Sequence, residues 1–180
     1  MQRCLRSTSR WPKSLEIKID WNVQVDIYGK CGNLTCQHGN ASCLEMLEAD
    51  YKFYLAFENS NSKDYITEKF FSNSLRRNIL PIVMGPSLED YTSVAPPDSF
   101  LHVDQFKGPA HLAKHLKTLD QDDDLYNKFF DWQTRGGWMN TKFFCRLCAL
   151  LHFHKAHGPG RRPEGGWAKW WQTGGVCKKI

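Results

Sequence analysis

A chain of 180 residues with an apolar share of 41%, an aromatic share of 13% and a formal net charge of +5 has room for one domain with a proper core, and too little for two of usual size. The positive charge is modest and dispersed, which suits a phosphorylated small ligand. It argues against nucleic acid, because there is no basic run interleaved with aromatics, no usual zinc-finger spacing and no recognition-helix pattern.

Residues 1–20 open with the basic string MQRCLRSTSRWPKS, which lacks the apolar centre of a signal peptide, and read as an atypical tail. No later run approaches the ~18 apolar residues of a membrane span. The expectation is a chain that does not enter the secretory pathway by itself. Seven cysteines nevertheless fit an oxidising compartment. The sequons at Asn33-Leu34-Thr35 and Asn40-Ala41-Ser42 are glycosylation candidates in the same setting. An odd cysteine count leaves one thiol over, with Cys4 as the candidate.

A single ligand-binding domain is expected over residues 21–157. Val23–Tyr28 alternates like a strand, which Gly29 and Gly32 end. Cys31, Cys36 and Cys43 follow in a polar loop; two of the three can pair, and they lack the twin short spacing of structural zinc sites. A short helix fits Cys43–Ala49.

The stretch YKFYLAFENSNSKDYITEKFFSNSL, from Tyr51 to Leu75, organises the rest and reads as strand, polar loop and helix. Tyr51–Phe57 is aromatic and apolar, and the turn-forming Asn59, Ser60, Asn61, Ser62 and Asp64 bound it. Ile66, Phe70, Phe71 and Leu75 then recur at helical spacing, with Asp64 where an N-cap would stand. On such a helix Tyr65, Glu68 and Lys69 share one face. A loop that leaves the carboxyl end of a strand and enters a helix presents unpaired N–H groups and the positive end of a dipole, an arrangement suited to phosphate. Lys69 would add a mobile cation for a diphosphate, Glu68 an acceptor for ribose hydroxyls, and Tyr65 a flat surface with a donor at its tip. Asn59 and Ser60 belong to the loop. Three such side chains on one face also describe an ordinary solvated helix.

Leu80–Met84, closed by Gly85 and Pro86, fits a buried parallel strand. Phe100–Val103 fits another, and Pro109–Leu119 an amphipathic helix with Leu112, Leu116 and Leu119 on one side. The acidic run Asp120-Gln121-Asp122-Asp123-Asp124 stands where a helix should begin, so it reads as a cap rather than a metal site. Cys145-x-x-Cys148 with His152, His154 and His157 downstream supplies enough ligands for zinc. Beyond, residues 158–180 form a tail rich in glycine, proline and tryptophan, in which Trp167, Trp170 and Trp171 are contact candidates and Cys177 could staple the end to an earlier cysteine.

The string FENS from Phe57, then DYITEK from Asp64 to Lys69, then Asn73, then LPIVMG ending at Gly85 closely resembles the donor-binding motif of the α1,3-fucosyltransferases, glycosyltransferase family ten. The likeness continues through APPDSFLHVDQF to Phe106. With VDIYGKCG upstream and NTKFFCRLCALLH downstream it spans Val23 to Cys177 and is closest to the branch that fucosylates the N-glycan core. The resemblance implies an α/β fold, the Rossmann-like C-terminal donor lobe of a GT-B glycosyltransferase, with a parallel sheet flanked by helices. It implies inverting transfer of L-fucose from GDP-fucose to GlcNAc of a glycoprotein N-glycan, with no metal or other cofactor. The setting it implies is the Golgi lumen or membrane, reached through an anchor outside this sequence. It places Tyr28 and Gly29 beside the nucleotide, though a tight turn that needs glycine explains them equally. It also pairs Cys145 with Cys148 in a disulfide. Such enzymes carry an arginine just before VDIYGKCG; Arg10 is only the nearest counterpart.

The resemblance puts the catalytic base and the acceptor surface in an N-terminal lobe that precedes VDIYGKCG and is absent here. No catalytic residue is therefore assigned, Glu68 is not promoted to one, and the chain alone is expected to hold the donor weakly and transfer nothing. Two other readings compete. One is a non-catalytic secretory module that keeps the fold for binding. The other is a small zinc protein built on Cys145, Cys148 and the histidines.

Overall fold

The computed structural model describes residues 24–29, 32–36, 41–137 and 141–158. Helix α1 (Ala41–Asp50) leads into strand β1 (Phe53–Phe57), and a polar loop then reaches a short helix α2 (Glu68–Phe70) that runs on as a π-helical turn (Phe71–Leu75). Strand β2 (Leu80–Met84), helix α3 (Leu88–Val94) and the two-residue strand β3 (Leu101–His102) follow. After a 3₁₀ turn (Val103–Gln105) come helices α4 (Pro109–Gln121) and α5 (Asp123–Asn127), a 3₁₀ stretch (Lys128–Thr134) and helix α6 (Phe143–His157).

The three strands form one parallel sheet in the order β1-β2-β3. Phe53 stands opposite Leu80 and Phe57 opposite Met84, while Ile82 faces Leu101 and Val83 faces His102. Parallel neighbours require a crossover, and the segment from Glu58 to Ile79, with α2 in it, supplies the one between β1 and β2. β2 is central and buried on both faces, which is why its sequence is continuously apolar rather than alternating. Pro81 is tolerated there for a reason of register. The Leu80 amide donates to the Lys52 carbonyl on the β1 side, so the next nitrogen faces the β3 side, where pairing has not yet begun.

Alternation along the strands divides the core in two. Leu80 and Ile82 join Leu101, Val103, Leu112, Leu116, Leu119 and Tyr126 on one face, with Phe53, Leu55 and Phe57 packed against them. Ala56 and Val83 join Phe70, Leu75, Tyr91, Phe100 and Trp132 on the other. The leucines read as one side of α4 are all buried, as their spacing predicts. The acidic run caps α5: Asp122 accepts from the Leu125 amide, and the Lys52 ammonium donates to Asp123 Oδ1 at 2.9 Å and to the Asp120 carbonyl at 2.9 Å.

Three expectations are corrected. Residues 24–27 form no strand; Tyr28 makes a single parallel bridge to Leu34, because a turn closed by the Gly32 amide on the Gly29 carbonyl folds the chain back on itself. Asp64 does not cap the helix. It lies in the left-handed region at φ 60°, which Asp visits more readily than most residues, and Thr67 caps α2 instead. Cys145 and Cys148 are free and exposed on α6. In a regular helix the Cβ atoms of residues three apart are about 5–6 Å from each other, too far for a disulfide's roughly 3.5–4.5 Å.

Of the loop cysteines, Cys36 and Cys43 are bonded to one another, fastening residues 32–36 to α1. Cys31, Cys177, Arg10 and Asn40 lie outside the described residues, whereas Asn33 is exposed. The described residues contain no helix long and apolar enough to cross a membrane. α6 buries none of its side chains, and Phe143, Phe144, Leu147, Leu150, Leu151 and Phe153 all face outward.

Leu116 sits within the core cluster on the α4 side while Lys117 beside it is exposed. Leu116→Ala should lower stability in urea unfolding by about 2–5 kcal/mol, and Lys117→Ala should stay within about 0.5 kcal/mol of the parent.

Candidate functional site

The carboxyl ends of the three strands define the edge at which an open parallel sheet receives ligands. At β1 that edge begins with Glu58, whose amide donates to the Met84 carbonyl at 2.7 Å and so extends the pairing with β2 by one residue. Its side chain turns inward and is fully buried. Oε1 accepts from the Thr67 amide at 2.8 Å and the Thr67 hydroxyl at 3.0 Å; Oε2 accepts from that hydroxyl at 2.9 Å and from the Lys69 ammonium at 3.3 Å. The Lys69 ammonium also donates to Asn59 Oδ1 at 3.1 Å. Glu58 thus gathers the start of α2 around itself.

This geometry changes the picture drawn from spacing. The Thr67 amide at the start of α2 is bonded to a carboxylate of the chain itself, so it is not an open amide awaiting a phosphate. Lys69 is not a mobile cation but a held one, its side chain 8% exposed. An ammonium has three protons to donate. Two of those on Lys69 point to Glu58 and Asn59, which leaves one for a ligand.

The other candidates divide. Asn59 is exposed beside Lys69, and the Ser60 and Ser62 hydroxyls are 2.6 Å apart in the same loop. Glu68 is exposed at the first helical position. Tyr65 lies in the loop rather than on the helix, half-buried, its amide bonded to the Ser62 carbonyl, so it does not share a helical face with Glu68 and Lys69. Tyr28 and Gly29 are not brought to this group. The Tyr28 hydroxyl is 2.9 Å from that of Tyr51, which in turn donates to Asp26 at 2.8 Å. Tyr51 precedes β1, so this cluster lies at the amino end of the strand, roughly 17 Å from its carboxyl end at 3.3 Å per residue. Gly29 takes a φ of 97° in the turn, which glycine alone adopts without strain.

The β2 edge is shaped around Glu58. A Cβ on Gly85 would stand 2.8 Å from Glu58 Cβ and 3.0 Å from its Cγ, so the glycine is there for close approach to a neighbouring side chain. Behind it the Tyr91 hydroxyl is fully buried with no hydrogen-bond partner among the described residues. Burial, and secondarily the Glu58 charge, push its pKa well above the ordinary value and keep it neutral. Burial likewise raises that of Tyr54, whose hydroxyl accepts from Asn73 at 3.5 Å. At the β3 edge, buried His102 bonds through Nε2 to the Pro86 carbonyl at 3.0 Å and accepts at Nδ1 from the Asp104 amide, which braces the turn after β2.

Glu58 and His102 are the residues that sequence reasoning did not assign to the site. A trace of Glu58 was visible: a carboxylate directly after an apolar strand, before any turn residue, is out of place unless something inside meets it. Cys145, Cys148 and His152 lie on α6, yet among the described residues no group of three or more His, Cys, Asp or Glu side chains is placed to hold a metal ion.

A parallel sheet flanked by helices, with polar groups gathered at its carboxyl edge, is a Rossmann-like α/β domain. Residues 4–160 match the C-terminal region of glycosyltransferase family 10, the fucosyltransferases, and the chain belongs to that family. It is 52% identical over 160 residues to glycoprotein 3-alpha-L-fucosyltransferase A of Drosophila melanogaster, covering 86% of this chain and 31% of the relative. It is 44% identical to alpha-(1,3)-fucosyltransferase C of the same fly (72% and 30% covered) and 40% identical to alpha-(1,3)-fucosyltransferase 7 of Bos taurus (71% and 37% covered). The chain thus spans about a third of the length of these relatives.

Because Gly85 admits Glu58, Gly85→Ala should lower stability by about 1–3 kcal/mol, the usual cost of overpacking. Urea unfolding measures it, and a neutral substitution would show that the Glu58 stem has room to move.

Proposed function

We propose that this chain is the donor-binding part of an α1,3-fucosyltransferase, transferring L-fucose from GDP-fucose to GlcNAc of a glycoprotein N-glycan with inversion and without a metal ion. The observation that carries this reading is the Lys69 ammonium, fixed at the carboxyl edge of a parallel sheet with one proton uncommitted. Residues 21–157 are read as the donor domain, within the family match over residues 4–160. The Golgi lumen or membrane is the place where a glycoprotein acceptor meets such an enzyme.

In inverting transfer, positive charge grows on the sugar carbon while negative charge grows on the departing GDP. Lys69 donates to the diphosphate as that charge develops, aided by the loop from Asn59 to Asp64. Donors already in place cost no reorganisation at the moment of reaction. Exposed Glu68 accepts from ribose hydroxyls, and Tyr65 offers an aromatic face with a hydroxyl at its tip. Tyr28 and Gly29, at the far end of β1, have no direct part in this cradle. Glu58 is sealed inside and cannot take the acceptor proton. The base and the acceptor surface are assigned, by resemblance, to sequence before Val23.

One observation favours a second reading. The outward apolar side chains of α6 suit a surface for binding another protein. A module of that kind would keep the fold and ignore GDP.

GDP should raise the melting temperature of the 180-residue chain, and a chelator should leave that shift intact. Lys69→Ala should weaken GDP about 10–100-fold, the worth of one hydrogen bond to a charged group. A folded chain indifferent to GDP would favour the second reading, and a chelator-sensitive response would overturn metal independence. The 180 residues alone should transfer no fucose; product in a radiolabelled-donor assay would place the base within them.

A further inference from the structure

We infer that Glu58 is a positioning residue for diphosphate recognition, acting through Lys69 and never touching the ligand. The inference rests on the reading of Lys69 as a diphosphate donor and deepens it. Three donors of the chain hold Glu58: the Thr67 amide, the Thr67 hydroxyl, whose single proton is shared between the two oxygens, and the Lys69 ammonium. Its side chain has no exposed surface. A sugar or a base has no access to it, so its influence passes through what it holds.

What it holds has two effects on Lys69. The first is aim: a lysine on a four-carbon stem otherwise samples many rotamers, whereas here Glu58 and Asn59 fix the ammonium from two sides. The second is charge: the carboxylate offsets the ammonium, so an empty site holds a neutral pair rather than a lone buried cation. Gly85 keeps room for the Glu58 stem, and Thr67 fixes its head while capping α2. Strand β1, strand β2 and the start of α2 thus converge on one carboxylate that sets one ammonium.

The test turns on sign. Glu58→Gln removes a negative charge from beside the diphosphate site, so a purely electrostatic account predicts tighter GDP binding. The positioning account predicts the reverse: GDP weakened tenfold or more, guanosine affinity unchanged because guanosine has no diphosphate, and no further loss when Glu58→Gln is added to Lys69→Met. Calorimetry on the full chain, with circular dichroism to confirm folding, reads all three. GDP affinity held or improved in folded Glu58→Gln overturns the inference. So does an equal loss for GDP and guanosine, or losses that add across the double variant. If Glu58→Gln does not fold, Glu58→Asp replaces it. That variant keeps the charge and shortens the reach, and it should show the same GDP-confined loss; unchanged GDP affinity overturns the inference. A parent chain that binds no GDP removes the reading of the site and the inference together, whereas a parent sensitive to Lys69→Met but not to Glu58 substitution removes the inference alone.

Discussion

A carboxylate taken out of water is costly unless its lone pairs are met from within. In this fold the meeting of Glu58 with Thr67 and Lys69 dictates where several other parts must lie. Because the carboxylate sits one residue beyond β1, the chain has to return there after its polar loop. Because Thr67 must reach it, the helix starts at Glu68 and no earlier. Because the stem presses on the next strand's end, the residue after Met84 is a glycine, which makes room for it. The hydrophobic faces of the sheet supply most of the driving force for folding, but they specify no helix start. The polar contact does.

Much of this was legible in the letters. Leu80–Met84 was recognisable as a buried strand from continuous apolar character, and α4 from leucines spaced three and four apart, because both patterns follow from which faces are covered. The end of β1 and the loop after it were marked by turn-forming residues. The start of the next helix was not. Asp64 and Thr67 are both good caps by type, and only a tertiary partner, Glu58, distinguishes them. Lys69 stood out as a cation after the polar loop, yet its confinement was invisible, since the residue that confines it is eleven positions away across a loop. Tyr28 was misplaced for a similar reason: residues that alternate like a strand fold back through a glycine turn, and the tyrosine hydroxyl meets that of Tyr51.

Family membership and site geometry inform different questions. The match over residues 4–160 places the chain among the fucosyltransferases, whereas the atoms at the sheet edge say which groups are free to act and which are already committed. Of the two acidic residues nearest Lys69 in sequence or space, one is exposed and available while the other is sealed and structural. A motif written as letters treats them alike.

The π-helical turn at Phe71–Leu75 carries its own consequence. The Ser74 hydroxyl bonds the Lys69 and Phe70 carbonyls there, at 2.9 and 2.8 Å. Such a turn holds one residue more than an α-helix would, and each residue of an α-helix advances it by roughly 100°. Four α-helical steps turn the chain by roughly 400°, so a helix lacking that extra residue would still bring Leu75 to the side of Phe70 and Trp132, the cluster in which it lies here. Alignments across this segment therefore have to count the extra residue, since a gap placed one column off exchanges inward and outward positions.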